Sequence, residues 1–410
     1  MDEPWFHIRR GCEELADYTL SNHRRIFPYF VLHDHVHARN VRRYSEYLLG
    51  LLSEKKQIHA TLLSCAAYLH DISLALPVPV LNNLKLHIDE IREDAPELAD
   101  DVLRSYREYF EDGYLKIKDQ EMNKKPEKAA STRKLWRKLH PWISSKYVQK
   151  FLPNMEVVVP NRSFFLKLIE PLSTVIKWHS SKAVLGRSYP CRIQVDGYEL
   201  YLCELALVLR LADAMDFSRK RGKFLYDLLL EEMKSEAPSQ LKHWAFKMAV
   251  DNVEYRSGTI TIDVSTGLGV EAQAKLLGVL LFEVAENFLH DFESFNGLGG
   301  GHLGRVGLRL TVNGSTIADL SKAISDIQNR YDCIKRIRLE SLGDIGFKAL
   351  RALSQELGEK EARKNGDFFD SLALALATND EQAMRSLLQT AVNQCGVDGL
   401  LQWVLKPSET

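Results

Sequence analysis

The hydrophobic patterning predicts a mainly α chain: a helical bundle over residues 1–235, a small α+β module over 236–316 and a C-terminal helical region over 317–410. Three observations carry this division. Apolar residues recur at helical spacing through the first half, as in Val41, Tyr44, Leu48 and Leu51. The period shortens to two in "GTITIDVS", which puts Ile260, Ile262 and Val264 on one face of a strand. Helical spacing returns after Ser315 and runs to the tail "KPSET", broken at "KNGD".

In chain order, "HVHARNVRRYSEYLLGLL" reads as an amphipathic helix and "IHATLLSCAAYLHD" as a buried one. Pro77 and Pro79 end that segment in a turn. Leu86–Phe110 is a polar, acidic helical stretch, and residues 116–134, lysine-rich and poor in apolar residues, read as a solvated loop. Helices resume at "STRKLWRKL". A separate one follows in "HPWISSKYVQKFL", where Pro141 suits a first helical turn. "PLSTVIKWHSSK" is a shorter helix and "YELYLCELALVLRLADAMDFSRKR" a long, strongly apolar one. In the module, "YRSG" is a hairpin turn, Glu271–Phe295 a helix and "RVGLRLTV" a third strand.

Composition narrows the function classes. A chain of 410 residues with 45% hydrophobic and 27% charged residues has the make-up of an ordinary globular protein of two or three domains. Its net charge of −1 provides no overall field for nucleic acid or an anionic membrane. The longest apolar run, Leu276–Leu289, is interrupted by Glu283 and Glu286 and does not read as a membrane span. "MDEPWFHIRRG" lacks the basic-then-apolar order of a signal peptide. The cysteines are scattered without a C-x-x-C pair. Cys65 and Cys203 fall in apolar helical patterns and are expected to be reduced core residues, which fits a cytoplasmic setting.

Against this background, "AYLHDIS" ends a buried helix on adjacent histidine and aspartate, His70 and Asp71. A carboxylate in a dry place is costly unless it is paired or binds a metal. The chain supplies other groups of the same kind. Asp213 lies on the stripe of Leu209, Ala206 and Leu202; His179 follows Leu172, Val175 and Ile176; His37 heads the stripe through Val41; His140 precedes the stripe Ile143, Tyr147 and Phe151. Five helices thus each aim a histidine or aspartate inward near one end, and a bundle can gather such groups into one metal site. Imidazole with carboxylate suits Mn, Fe, Co, Ni, Zn or Mg. His33 is the alternative to His37 as first ligand, one helical turn away. "GLGGGHLG" (297–304) lies between a helix and a strand, the wrong order for a phosphate loop.

The order H…HD…H…H…D, with "YLHDIS", "RKLHPWISSKYV" and "LRLADAMDFSRKR", resembles the HD superfamily of metal-dependent phosphohydrolases, most closely a bacterial branch found in defence and signalling proteins. The likeness covers about residues 30–225 well and 240–312 loosely. It implies an HD-type helical bundle with His37, His70, Asp71 and Asp213 as primary metal ligands. His140 and His179, with a bridging Asp71, are implied to hold a second ion or else to contact phosphate and donate a proton. Arg39, Arg210 and Arg219 are the candidate substrate cations, each equally able to form a surface ion pair, with Lys182 ranked after them; Asp216 is a candidate to orient a ligand histidine or else to pair with Arg219 or Lys220. "HDISLALPVP" lacks the "GH" segment usual in deoxynucleotide triphosphohydrolases of the superfamily, and no GYP signature of cyclic-dinucleotide phosphodiesterases is present. The expected activity is metal-dependent hydrolysis of a nucleotide. A (d)NTP triphosphohydrolase in antiviral defence comes first. A phosphodiesterase of a cyclic or signalling nucleotide and a non-catalytic nucleotide-binding regulator are the alternatives. A nucleotide substrate, a possible regulatory nucleotide and self-association into a homo-oligomer are the expected partners.

Overall fold

A computed structural model describes residues 4–28, 33–52, 56–118, 130–154, 161–180, 191–217, 228–229, 232, 250–264, 291–292, 295–296, 304–312 and 315–316. The chain is mainly helical and divides into two units, Met1–Asp216 with Ser294–Arg305, and Phe217–Glu293 with Val306–Thr410. Lys182, Arg219, most of the stretch expected as a helix over 271–295 and everything beyond Thr316 lie outside the described residues.

The first unit is built around one dry helix. Helix α1 is Pro4–Leu20, α2 His23–Ile26, α3 His35–Leu49 and α4 Gln57–Leu69. Residues 61–76 form an unbroken buried run, as an all-round apolar helix requires. α4 ends at Leu69, and a 3-10 turn over Ile72–Ala75 comes next. His70 and Asp71 therefore occupy the joint between two buried elements, 0% and 3% exposed. Short helices α5 (Val78–Leu84), α6 (Ile88–Asp94) and α7 (Pro96–Tyr106) lead to a two-strand ribbon, β1 (Phe110–Glu111) and β2 (Tyr114–Leu115). Helix α8 is Ala130–Phe151, α9 Arg162–Trp178 and α10 Leu202–Met215. α4 packs against α1, α3, α9 and α10, while α8 packs on α9 and on the 3-10 turn after Asp71. Trp136, Trp142 and Trp178 are core residues.

The structure corrects the sequence reading at four places. α8 is one helix through Pro141, where the sequence predicts two. Tertiary packing of Trp136, Leu139, Trp142 and Ile143 on both sides of the proline holds it straight enough to continue. α9 begins at Arg162, earlier than "PLSTVIKWHSSK", and runs through Pro171. "YELY" is a strand rather than the start of a helix: β3 (Arg192–Val195) and β4 (Tyr198–Tyr201) pair antiparallel. Their turn, Asp196–Gly197, has φ of 48° and 82°, the primed turn that Asp-Gly favours. That hairpin brings the residue before β3 back to the first turn of α10. Cys203 is accordingly not a reduced core cysteine but is disulfide-bonded to Cys191, with Cα atoms 5.1 Å apart. Cys65 is free and buried, as expected.

In the second unit, β5 (Val250–Arg256), β6 (Thr259–Val264), β7 (Gly307–Val312) and β8 (Ser315–Thr316) form one sheet in that order. β5 and β6 pair antiparallel across Ser257–Gly258, and Ile260 and Ile262 are fully buried. β6 and β7 are parallel, which requires the chain to cross over between them.

Candidate metal centre

All five expected helices deliver their side chain to one place in the first unit. Asp34 caps α3, accepting hydrogen bonds from the Val36 and His37 N–H groups at 3.0 and 3.1 Å, so the helix starts with His37 in its first turn. Val41, Tyr44 and Leu48 anchor the same stripe in the core. His70 and Asp71 come from the end of α4, His140 from the middle of α8, His179 from the residue after α9 and Asp213 from the last turn of α10. The 3-10 turn after Asp71 is stapled to α8. Trp136 Nε1 donates to the Ser73 carbonyl at 2.9 Å, Ser73 Oγ donates to the His140 carbonyl at 3.1 Å, and Ser144 Oγ accepts from the Ser73 N–H at 3.2 Å.

Two clusters result, and Asp71 belongs to both. His37, His70, Asp71 and Asp213 form the first; Asp71, His140 and His179 the second; in each the donor atoms lie within 4.8 Å of one another. In the first, His37 Nε2 is 3.3 Å from His70 Nε2 and 3.2 Å from both Asp71 Oδ2 and Asp213 Oδ1. His70 Nε2 is 3.2 Å from Asp71 Oδ2 and 3.7 Å from Asp213 Oδ1. Donors about 2.0–2.2 Å from a common ion stand roughly 2.8–3.6 Å apart at tetrahedral or octahedral angles, a range that holds four of these five spacings and lies just below the fifth. In the second cluster Asp71 directs its other oxygen, Oδ1, to His140 Nε2 at 3.3 Å. His33 Nε2 is farther out, 3.9 Å from Asp71 Oδ2 against 3.2 Å for His37 Nε2.

The ring tautomers decide what the clusters can hold. His37 Nδ1 is 2.7 Å from Asp216 Oδ2. The Nδ1 atoms of His70, His140 and His179 are 2.9, 2.6 and 2.6 Å from the carbonyls of Ala67, Arg137 and Ile176. A carboxylate or carbonyl only accepts, so each Nδ1 carries the hydrogen, and each neutral ring is left with a lone pair on Nε2. In their neutral form the four imidazoles thus offer Nε2 lone pairs beside two carboxylates. Asp71 Oδ2 and His179 Nε2 are buried without a hydrogen-bond partner. Acceptors facing acceptors in a dry site call for a cation.

The carboxylates and the rings also shift one another's protons. Burial works to lower the His70 pKa, but Asp71 and Asp213 outweigh it and raise it well above the usual histidine range. Burial works to raise Asp71, yet the rings of His70, His33 and His37 hold it well below the usual carboxylate range. Asp213 is lowered in the same way, its burial overcome by His37 and His70. Burial lowers His140, and burial together with the neighbouring rings of His70 and His140 pushes His179 down to about 3. Both shifts favour the neutral ring.

The floor of the site is closed and one side is open. His37 and His70 side chains are 1% exposed and Asp71 4%, whereas Asp213 is 35% and His140 18% exposed. Of the candidate substrate cations, Arg39 is engaged at the surface by Asp17 at 2.7 Å and Glu13 at 3.3 Å. It sits two residues from His37, on the other side of α3, and does not join the cluster. Arg210 is half-buried three residues before Asp213. Asp216 does orient His37 and is itself held by Asn40 Nδ2, which donates to Oδ1 at 3.0 Å. The sequence pattern does not single out Arg137, whose carbonyl seats His140.

The fold and the donor set meet in one family. A family model, HD-CE, matches residues 27–291. The chain belongs to the HD-CE family. No curated protein and no solved structure matches it. An HD-type domain with a donor cluster of this kind is that of a metal-dependent hydrolase. Among the described residues no single helix is long and apolar enough to cross a membrane.

Proposed function

We propose that this HD-CE protein is a metal-dependent phosphohydrolase of nucleotides, with a (d)NTP as its substrate and triphosphate release as its reaction. The observation that carries the reading is the convergence of four Nε2 lone pairs and both Asp71 oxygens, each ring fixed by an acceptor behind it. His37, His70, Asp71 Oδ2 and Asp213 would hold one divalent ion; Asp71 Oδ1, His140 and His179 would hold a second. Divalent ions held there would supply a water of pKa lowered towards ~7 and would offset charge on phosphoryl oxygens. Asp216 keeps His37 in the tautomer that presents Nε2 inward. The depressed pKa values of His140 and His179 favour the role of ligands over that of proton donors. Arg210 stands as a substrate cation on α10, with Lys182 and Arg219 proposed alongside it. A role in antiviral defence belongs to the same reading, as does self-association through residues 317–410.

The test is a product assay. Purified protein and Asp71→Ala are incubated with Mn²⁺, Mg²⁺ or Co²⁺ and a panel of NTPs, dNTPs and cyclic nucleotides. Metal-dependent release of nucleoside and triphosphate, abolished in Asp71→Ala, is the expected result. Linear products from cyclic substrates make the protein a phosphodiesterase. Stoichiometric metal binding with no turnover makes it a nucleotide-binding regulator. Absence of both metal binding and turnover overturns the reading.

A further inference from the structure

On α8 the residues Arg133, Arg137, His140 and Ser144 are spaced by four, three and four positions, so they share one stripe. Both ends of the stripe are fixed. Arg133 is buried and its Nε donates to the Ile26 carbonyl at 2.8 Å, while Ser144 Oγ accepts from the Ser73 N–H at 3.2 Å, beside Asp71. Between them His140 reaches Asp71 Oδ1. Arg137 is one turn from His140 on the same stripe, and it is solvent-exposed where its two neighbours on the stripe are buried or half-buried. Enough protein surrounds its guanidinium for burial to lower its pKa, against the pull of Asp71 and Asp213. The open side of this site is the one bounded by His140 and Asp213, and Arg137 stands one turn from His140 on that stripe.

We infer that Arg137 is a further substrate cation, the one that holds the phosphoryl anion against the metal centre from α8, an assignment that rests on the phosphohydrolase reading above. The deciding factor is charge. In the metal-free protein Arg137 feels two carboxylates. Once divalent ions occupy the clusters, Asp71 and Asp213 are committed to them, and a guanidinium on the rim faces net positive charge. An anion between the two relieves that repulsion. A phosphoryl group fits best, because its oxygens can meet the planar guanidinium fork on one side and the ions on the other. The role belongs to the side chain alone, since His140 is seated by the Arg137 backbone carbonyl, which any substitution keeps.

The experiment separates anion binding from metal binding and from turnover. Wild type, Arg137→Ala and Arg137→Lys are loaded with Mn²⁺, their metal content is measured, and each is titrated calorimetrically with inorganic pyrophosphate and inorganic triphosphate at low salt. The expected result is unchanged metal content, with anion affinity lowered about 10- to 100-fold in Arg137→Ala and by less in Arg137→Lys, which keeps the charge but loses the fork. Equal anion affinity in all three proteins overturns the inference. So does a wild type that binds neither anion, or an Arg137→Ala protein that folds but has lost its metal. Arg137-dependent anion binding in a protein that hydrolyses no nucleotide would leave this inference standing and remove the phosphohydrolase reading.

Discussion

Replacing Pro141 with alanine should make the protein more stable and its second metal site weaker. Proline in a helix interior removes the N–H that would bond the carbonyl four residues back. For Pro141 that carbonyl is Arg137's, and it is the one that receives His140 Nδ1 at 2.6 Å. The proline thus creates an unclaimed acceptor in the middle of α8, one turn behind the histidine. An alanine N–H would claim it. The gain is up to about 3 kcal/mol of helix propensity, which at roughly 2–4 °C per kcal/mol raises the melting temperature of the metal-free protein by up to ~10 °C. The loss falls on His140, whose ring is no longer committed to one tautomer. Removing such an orienting partner lowers metal affinity about 10- to 100-fold. Only the cluster of Asp71, His140 and His179 should suffer, because His140 is not among the first-site donors. Thermal melts in chelator and calorimetric titration with Mn²⁺ read the two effects. A stabilised variant that binds two ions as wild type does would refute the link between the proline and the ring. A wild type that binds a single ion would refute the two-site premise.

The same geometry sets three further outcomes. Asp216→Ala should weaken the first ion, not the second, by about 10- to 100-fold, read in the same titration, because His37 loses its acceptor. For pH, His179 has a folded pKa of about 3 against roughly 6.5 unfolded, so below pH ~6.5 the unfolded chain takes up a proton that the folded one refuses. Its contribution to stability is complete above that pH and shrinks as pH falls towards 3. Urea melts of metal-free protein from pH 7.5 to 5 should accordingly be less steeply pH-dependent in His179→Gln, a comparison that cancels the opposite contribution of His70. Cleaving the Cys191–Cys203 bond frees a loop of sequence separation 12 and should cost about 3 kcal/mol by chain entropy, measured by melts with and without reductant. An unchanged melting point in reductant would mean that the bond adds nothing to the fold.

How far the sequence can be read depends on whether a residue's role is local. His70, Asp71, His140, His179, His37 and Asp213 each lie on an apolar stripe. A stripe is a one-dimensional pattern, so their convergence is legible in the sequence itself. Asp216 is legible for the same reason, being one turn from Asp213. The β3–β4 hairpin is hidden because Leu200, Tyr201 and Leu202 continue the apolar character of α10, although Asp196–Gly197 is a strong turn signal. The disulfide is hidden with it, since Cys191 and Cys203 meet only once the hairpin has formed. Pro141 reads as a helix start because propensity argues that way, and the packing of Trp136, Leu139 and Trp142 that overrides it is long-range. Arg137 lies in a run of basic residues, where nothing in the sequence distinguishes a rim cation from a solvated one.

The four rings also explain why the site needs Asp216 at all. His70 and His179 stand at helix C-termini, where the last carbonyls have no intrahelical N–H. Each ring takes the carbonyl three residues behind it, and Nε2 is thereby aimed inward. His140 is in mid-helix, where no such carbonyl exists until Pro141 frees one. His37 is in the first turn of α3, where the arrangement is reversed. There the orphans are N–H groups, which Asp34 satisfies, and the carbonyls are spoken for, the Asp34 carbonyl accepting from the Ala38 N–H at 3.1 Å. No local acceptor remains for its Nδ1, so one must come from elsewhere in the fold. It comes from the residue after α10, one turn beyond Asp213, and the Asp216 N–H is itself tied to the Asp213 carbonyl at 3.1 Å. The end of α10 therefore supplies both a donor to the centre and the group that fixes another donor's tautomer. Any displacement of that end is felt at two positions of the first cluster at once, which makes the α10 terminus, rather than the deeply buried His70–Asp71 joint, the point where the metal centre is most easily loosened.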